Sequence, residues 1–120
     1  MPTEEVLDPA VVAELRRAQD VFRNPDFIRQ LASLFLANTP GKMDRIRQAS
    51  TAGDTAAIRD VAHALKSNCG MLGATRMVDA CARMEEAAAR ADLSGADAAF
   101  AAAEALLPSV LAALSRLKQE

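Results

Sequence analysis

The chain has 120 residues, enough for one domain spanning 1–120 with one hydrophobic core. Of these, 51% are hydrophobic, which excludes a disordered tail. Lys plus Arg number 14 against 16 Asp plus Glu, and the aromatics are four Phe, so the chain has neither the basic surplus nor the stacking platforms of a nucleic-acid binder.

Alanine makes up about a fifth of the chain and is the best helix former, which predicts an all-helical protein. Two cysteines, Cys69 and Cys81, are too few for a disulfide framework. Both fall inside helical patterns, where reduced Cys acts as a small buried hydrophobe. Met1 to Leu7 lacks the pattern of a signal peptide, and no uninterrupted apolar run approaches about 18 residues. The expectation is a cytoplasmic protein that binds neither nucleic acid nor membrane.

Asp8-Pro9 reads as a helix start, because Asp can cap a first turn and Pro suits the first helical position. Val11, Val12 and Leu15 follow with helical spacing, as far as about Asp20. Asn24-Pro25 repeats the start signal and opens a longer run with Ile28, Leu31, Phe35, Met43 and Ile46. Pro40-Gly41 falls inside this run. An interior proline costs about 3 kcal/mol, which predicts a kink or a local break. Thr51-Ala52-Gly53 ends the run, and Asp54 caps the next. That stripe is Ile58, Val61, Ala62, Leu65, Cys69 and Leu72, closed by Gly73. Thr75 is expected to cap a fourth run carrying Met77, Cys81, Met84 and Ala88. Leu93-Ser94-Gly95 is expected to be the turn before the last run. There Phe100, Ala103, Leu107, Val110, Leu114 and Leu117 alternate at steps of three and four. Pro108 is expected to bend it. The stripes read as core, and short connections make sequential helices antiparallel. The expected fold is all-α, an antiparallel up-down four-helix bundle with a short additional N-terminal helix.

The chain has one histidine, His63. At about 100° per residue, the apolar residues of its helix lie within roughly 40° of Ile58, whereas His63 falls near 140°, facing solvent. Arg59, Asp60, Lys66, Ser67, Gly70 and Ala56 are its neighbours on that face. An exposed neutral imidazole is a competent nucleophile towards phosphorus. Small neighbours leave the ring open to a large partner. Lys66, one turn on, can neutralise a phosphoryl group as a point charge. Gly70 costs about 1 kcal/mol against Ala in a helix interior, and close approach of another surface would explain it. Taken singly, such a His is usually just a surface residue, Lys66 a routine solvated charge and Gly70 a tolerated defect. The segment read whole weighs against that. Beyond Asp60 no convergent carboxylate is expected near His63. One His with two core-facing Cys makes no zinc site, and no Gly-rich phosphate loop is present. The docking patch is expected to include exposed apolar residues, with Met71 and Val12 as candidates.

The stretch Ala62-His63-Ala64-Leu65-Lys66-Ser67, ending in Leu72-Gly73-Ala74, resembles the signature of histidine-containing phosphotransfer (HPt) domains, which carry phosphoryl groups between receiver domains in bacterial phosphorelays. Leu7-Asp8-Pro9, Phe35 to Pro40, Ala52-Gly53-Asp54, and Cys81 with Met84-Glu85 extend the resemblance over about residues 7–117. It implies a helical bundle in which His63 is phosphorylated at the ring nitrogen distal to the backbone, assisted by Lys66. It also implies that Arg59, Ser67 and Gly70 border the access of the phosphoryl group or partner. Ser67 stands where the family usually has Gly, and Asn68 where Ser or Ala is common. The Ser67 hydroxyl can donate to a phosphoryl oxygen or narrow the approach. The implied partners are receiver domains of a hybrid histidine kinase or a response regulator, which supply the Mg²⁺. The chain itself then needs no cofactor or metal, works as a monomer and has no kinase or ATPase activity. Three alternatives remain open: a non-catalytic interaction module, an inhibitor with this fold, and the dimeric phosphoacceptor domain of a histidine kinase. The last expects an acidic residue after the His, and Ala64 stands there.

Overall fold

The computed structural model describes residues 6–119. Five helices follow in order: α1 (Pro9–Val21), α2 (Phe27–Thr51), α3 (Thr55–Met71), α4 (Thr75–Ala89) and α5 (Leu93–Lys118). The helices α2 to α5 form the bundle, with α2 packed on α3, α3 on α4, α4 on α5, and α5 back on α2. The short α1 packs against α2. The 26 residues of α5 give about 39 Å of helix, which sets most of the 45 Å long axis.

Two caps act as expected. The Asp8 carboxylate accepts from the Ala10 N–H, with Pro9 at the first helical position, and Asp54 accepts from the Ala57 N–H. Other boundaries differ. The second helix begins at Phe27 rather than at Asn24-Pro25. Asn24 uses its Oδ1 to accept from the Asp26 N–H, so its side chain closes the preceding turn instead. The fourth helix is capped by Ala74, without a side-chain bond, and Thr75 is already helical. The turn expected at Leu93-Ser94-Gly95 lies earlier. Ala91 takes φ +57°, and the Asp92 carboxylate accepts from the Gly95 N–H, so Leu93 opens α5. Asp outcompetes Ser-Gly because it reaches the orphan donors of the first turn.

Pro40 does not break α2, which runs from Phe27 to Thr51. Phe35 and Thr39 on one side of the proline, and Met43 and Ile46 on the other, are all buried in one core. Pro40 itself is exposed, so the Leu36 carbonyl that loses its usual donor can be solvated. Likewise α5 runs unbroken through Pro108. By length and composition alone α5 is apolar enough to cross a membrane, because alanines raise its average although Asp97 and Glu104 interrupt the run. In the bundle Phe100, Ala103, Val110, Leu114 and Leu117 of α5 are core, while Leu107 is half-buried. Arg47 of α2 reaches across to Glu104 at 2.7 Å and over the Phe100 ring at 5.5 Å.

The α3–α4 turn fixes the site. Gly73 takes φ +77°, a left-handed conformation that glycine adopts without cost. Its carbonyl accepts from the Asp8 N–H at 2.7 Å, and a Cβ there would lie 2.8 Å from Val11 Cβ. The start of α1 is thus seated on the hairpin whose first arm carries His63.

Candidate functional site

His63 sits midway along α3, on the face opposite Ile58, Val61, Leu65 and Cys69, all buried. Its side chain is 63% exposed. The stripe fills one side of the helix, so the residue near 140° is left in water. Ala56, Arg59, Asp60, Ala64 and Ser67 are exposed around it. Arg59 forms no ion pair among the described residues.

Glu85, one-fifth exposed on α4, completes the site. Its Oε2 lies 2.8 Å from His63 Nδ1, and its Oε1 lies 2.7 Å from Lys66 Nζ. One carboxylate therefore ties the histidine to the lysine across two helices. Lys66 beside it holds the Glu85 carboxyl below the ordinary carboxylate range, against an opposing effect of burial, and His63 adds to the lowering. Oε1 is enclosed, and the Lys66 contact there is an ion pair rather than a well-aligned hydrogen bond. An ionised carboxylate only accepts, so the ring proton belongs on Nδ1, which donates to Oε2. The lone pair is then on Nε2, which no described group engages.

Glu85 corrects the expectation that only Asp60 brings a carboxylate near the histidine. Asp60 is exposed and makes no hydrogen bond or ion pair with His63. The signal for Glu85 lay in the hairpin: His63 and Glu85 are each eleven residues from Ala74, so antiparallel arms bring them level. Gly70 and Val78, four residues either side of Ala74, meet in the same way.

The other candidates are placed as follows. The Ser67 hydroxyl donates to the His63 carbonyl at 3.3 Å, so it is occupied within its own helix and must rotate to meet a ligand. Gly70 is exposed, and a Cβ there would meet only Val78 Cγ2, at 3.8 Å. The chain's own packing therefore does not require glycine at 70. Met71 is 55% exposed, whereas Val12 is half-buried against the core because α1 lies on the bundle. Cys69 and Cys81 lie buried behind the Lys66–Glu85 pair. Contact with Cys81, together with burial, pushes the Cys69 thiol well above its ordinary range, which keeps it an inert core residue.

The Hpt domain family matches residues 30–120, which take in most of α2 and all of α3 to α5. No curated protein matches the chain. Among solved structures, it is similar to histidine-containing phosphotransfer protein B from Pseudomonas aeruginosa, with 26% identity over 98% of this chain and 97% of that one and a TM-score of 0.86. With a bundle of this topology and a match that spans the whole His63 helix, the chain belongs to the Hpt domain family, the histidine phosphotransfer domains of phosphorelays.

Proposed function

We propose that His63 is the phosphoacceptor of a phosphorelay carrier, taking a phosphoryl group from a receiver phosphoaspartate and passing it to another receiver. The observation that carries this reading is the hydrogen bond from Nδ1 to Glu85, which leaves Nε2 exposed with its lone pair. In the forward step the Nε2 lone pair attacks phosphorus, the P–Nε2 bond forms, and the P–O bond to the receiver aspartate breaks. The ring gains a positive charge, and its Nδ1 proton stays between His63 and Glu85. In the return step the second aspartate attacks phosphorus, and the ring leaves as neutral imidazole. The proton that made it a good leaving group never has to be fetched from solvent.

Lys66 faces the incoming phosphoryl group from one turn away and shares its charge between that group and Glu85. Such a contact, with the lysine one-third exposed, is worth about 1 kcal/mol or less, so it steadies transfer more than it adds affinity. Phosphoryl transfer rests mainly on positioning and charge stabilisation. A bundle that presents one oriented imidazole can thus act as donor and acceptor while the receiver brings the divalent cation. Arg59, Ser67 and Gly70 border the approach to the ring. The 120 residues act as one domain and one copy, since four helices close the bundle.

The test mixes the chain with a panel of phosphorylated receiver domains, beside His63→Gln. Acid-labile, alkali-stable label on the wild type alone supports the assignment. Label on both proteins places the chemistry elsewhere. No label, in a panel active on another carrier, leaves a binding module.

A further inference from the structure

Cys69 on α3 and Cys81 on α4 are both wholly buried, and nothing in the phosphoryl chemistry uses them. We propose that they are an oxidisable dithiol, which a peroxide closes to a disulfide between the two arms of the hairpin that carries His63. The bond locks the register that sets Glu85 opposite the ring. The proposal goes beyond the phosphocarrier reading and does not depend on it.

Three observations carry it. The first is register. Side chains lean towards the N-terminus of their own helix, so they lean away from the Gly73 turn on α3 and towards it on α4. A residue five before Ala74 therefore meets one a little further than five beyond it, and Cys81 stands seven beyond. The second is closeness. The thiols share a hydrogen bond, in which the Cys69 S–H donates to Cys81 Sγ. The buried faces of α3 and α4 also carry Ala62, Ala80 and Ala88, and small side chains let helices approach to the near end of the usual range of about 8–10 Å. The third is asymmetry. Contact with Cys69, and then the charge of Lys66, holds the Cys81 thiol below its ordinary range, against burial and Glu85. Cys81 is thus the sulfur able to act as a thiolate. Cys69 is inert only while Cys81 keeps it protonated.

The pair lies one layer down, behind Lys66 and Glu85, which are one-third and one-fifth exposed. A molecule as small as hydrogen peroxide reaches it through a local opening of that ion pair. The Cys81 thiolate attacks one peroxide oxygen. The S–O bond forms, the O–O bond breaks, and the hydroxide takes up the proton that Cys81 lost and leaves as water. Cys81 is then a sulfenic acid and no longer holds the Cys69 proton in place. The Cys69 sulfur attacks the Cys81 sulfur, the S–S bond forms, and the sulfenic oxygen leaves with the Cys69 proton as a second water. The two thiols lose two electrons, and the peroxide gains them. Where thiols are kept reduced, such a bond forms during oxidation and is afterwards reversed, as suits a sensor rather than a structural bridge.

The experiment treats the folded chain with hydrogen peroxide at a dose that oxidises free glutathione, then blocks the remaining thiols with an alkylating reagent under denaturing conditions. The expected product is a monomer lighter by two hydrogens, carrying no alkyl group and linked between Cys69 and Cys81, and dithiothreitol restores both thiols. Its Tm should rise by about 10 °C, because closing the Cys69–Cys81 loop constrains the unfolded chain. Cys69→Ala leaves Cys81 to be trapped by dimedone as a sulfenic acid, whereas Cys81→Ala leaves a Cys69 that dimedone does not mark. Neither variant gains stability from peroxide. Circular dichroism, and labelling by the small phosphoryl donor phosphoramidate, check that the variants keep the bundle and the His63 face. Full alkylation of both thiols in peroxide-treated wild type overturns the proposal, as does a disulfide formed only between two copies. A bond between Cys69 and Cys81 that leaves Tm unchanged overturns the locking of the hairpin.

Discussion

Replacing Glu85 by Gln keeps the shape of the site and removes its charge. The amide oxygen can still accept the Nδ1 proton, so the ring keeps its orientation and Nε2 its lone pair. What is lost is the difference between a charge-assisted hydrogen bond, about 1.5–3 kcal/mol, and a neutral one, about 0.5–1.5 kcal/mol. That difference, about 1 kcal/mol, bears on a ring that becomes cationic as phosphorus is attacked. It converts to about a fivefold slower transfer onto His63. Glu85→Ala removes orientation as well and should be slower again, by about tenfold or more against wild type. The assay is single-turnover transfer from a phosphorylated receiver, with phosphoramidate labelling alongside, since the ring's own nucleophilicity is at issue and both donors must slow together. The reasoning is refuted if the Glu85→Gln variant is labelled as fast as wild type by both donors.

The same substitution has a stability signature with a definite sign. Lys66, then His63, holds the Glu85 carboxyl below its ordinary range in the folded chain. The unfolded chain therefore binds more protons in acid. The ion pair's contribution is fully present above the unfolded value, about 4.3, and disappears as pH falls through the lower folded value. With Lys66 32% and Glu85 20% exposed, that contribution is about 1 kcal/mol, or about 4 °C in Tm. Wild type should exceed Glu85→Gln by that margin at pH 7, and the margin should shrink steadily as pH falls below the ordinary carboxylate range. A margin independent of pH would show that the carboxylate is not the group responsible.

Further outcomes follow from packing. Gly73→Ala forces a Cβ to within 2.8 Å of Val11 Cβ at φ +77°. It should cost about 1–3 kcal/mol in chemical denaturation, with proteolysis near α1 enhanced. Gly70→Ala meets only Val78 at 3.8 Å and should raise Tm by a few degrees, because helix propensity improves by about 0.5–1 kcal/mol. Leu114→Ala opens a cavity where the side chain is fully buried and should lower stability by about 2–5 kcal/mol in a urea titration.

The bundle was legible because its stripes are long. In α5, six apolar residues at alternating steps of three and four leave little choice of face, and five of the six are core. The boundaries were less legible because several polar residues compete to close each turn. At Asn24-Pro25 the Asn side chain bonds the loop N–H of Asp26, and at Leu93-Ser94-Gly95 Asp92 takes the capping role first. Local rules name the candidates but do not rank them. Pro40 shows the opposite limit. Its local penalty of about 3 kcal/mol is a genuine defect of the helix. The outcome is decided by Phe35, Thr39, Met43 and Ile46, whose burial on both sides of Pro40 keeps α2 one continuous helix.

The site divides in the same way. His63, Lys66, Ser67 and Gly70 share one helix, and their common face follows from periodicity alone. Glu85 belongs to another helix, 22 residues on, and in its own sequence context it is one of two adjacent acids in Met84-Glu85-Glu86-Ala87. Nothing local distinguishes Glu85 from Glu86. The structure does: Glu86 is exposed and pairs with Arg90 along the outside of α4, whereas Glu85 points across to α3. The distinction comes from the Gly73 turn, which sets the register of the two arms, and from Met77, Cys81 and Met84, which fix which face of α4 turns inward. Glu85 follows Met84 by one position, so it lies at the edge of that buried face. An acid at such an edge is drawn towards whatever cation the neighbouring helix offers, and here that is Lys66 with His63 beside it. The charge that orients His63 is therefore selected by core packing on the far side of the helix. This explains why the exposed face of His63 could be read from one segment while its orientation required the fold.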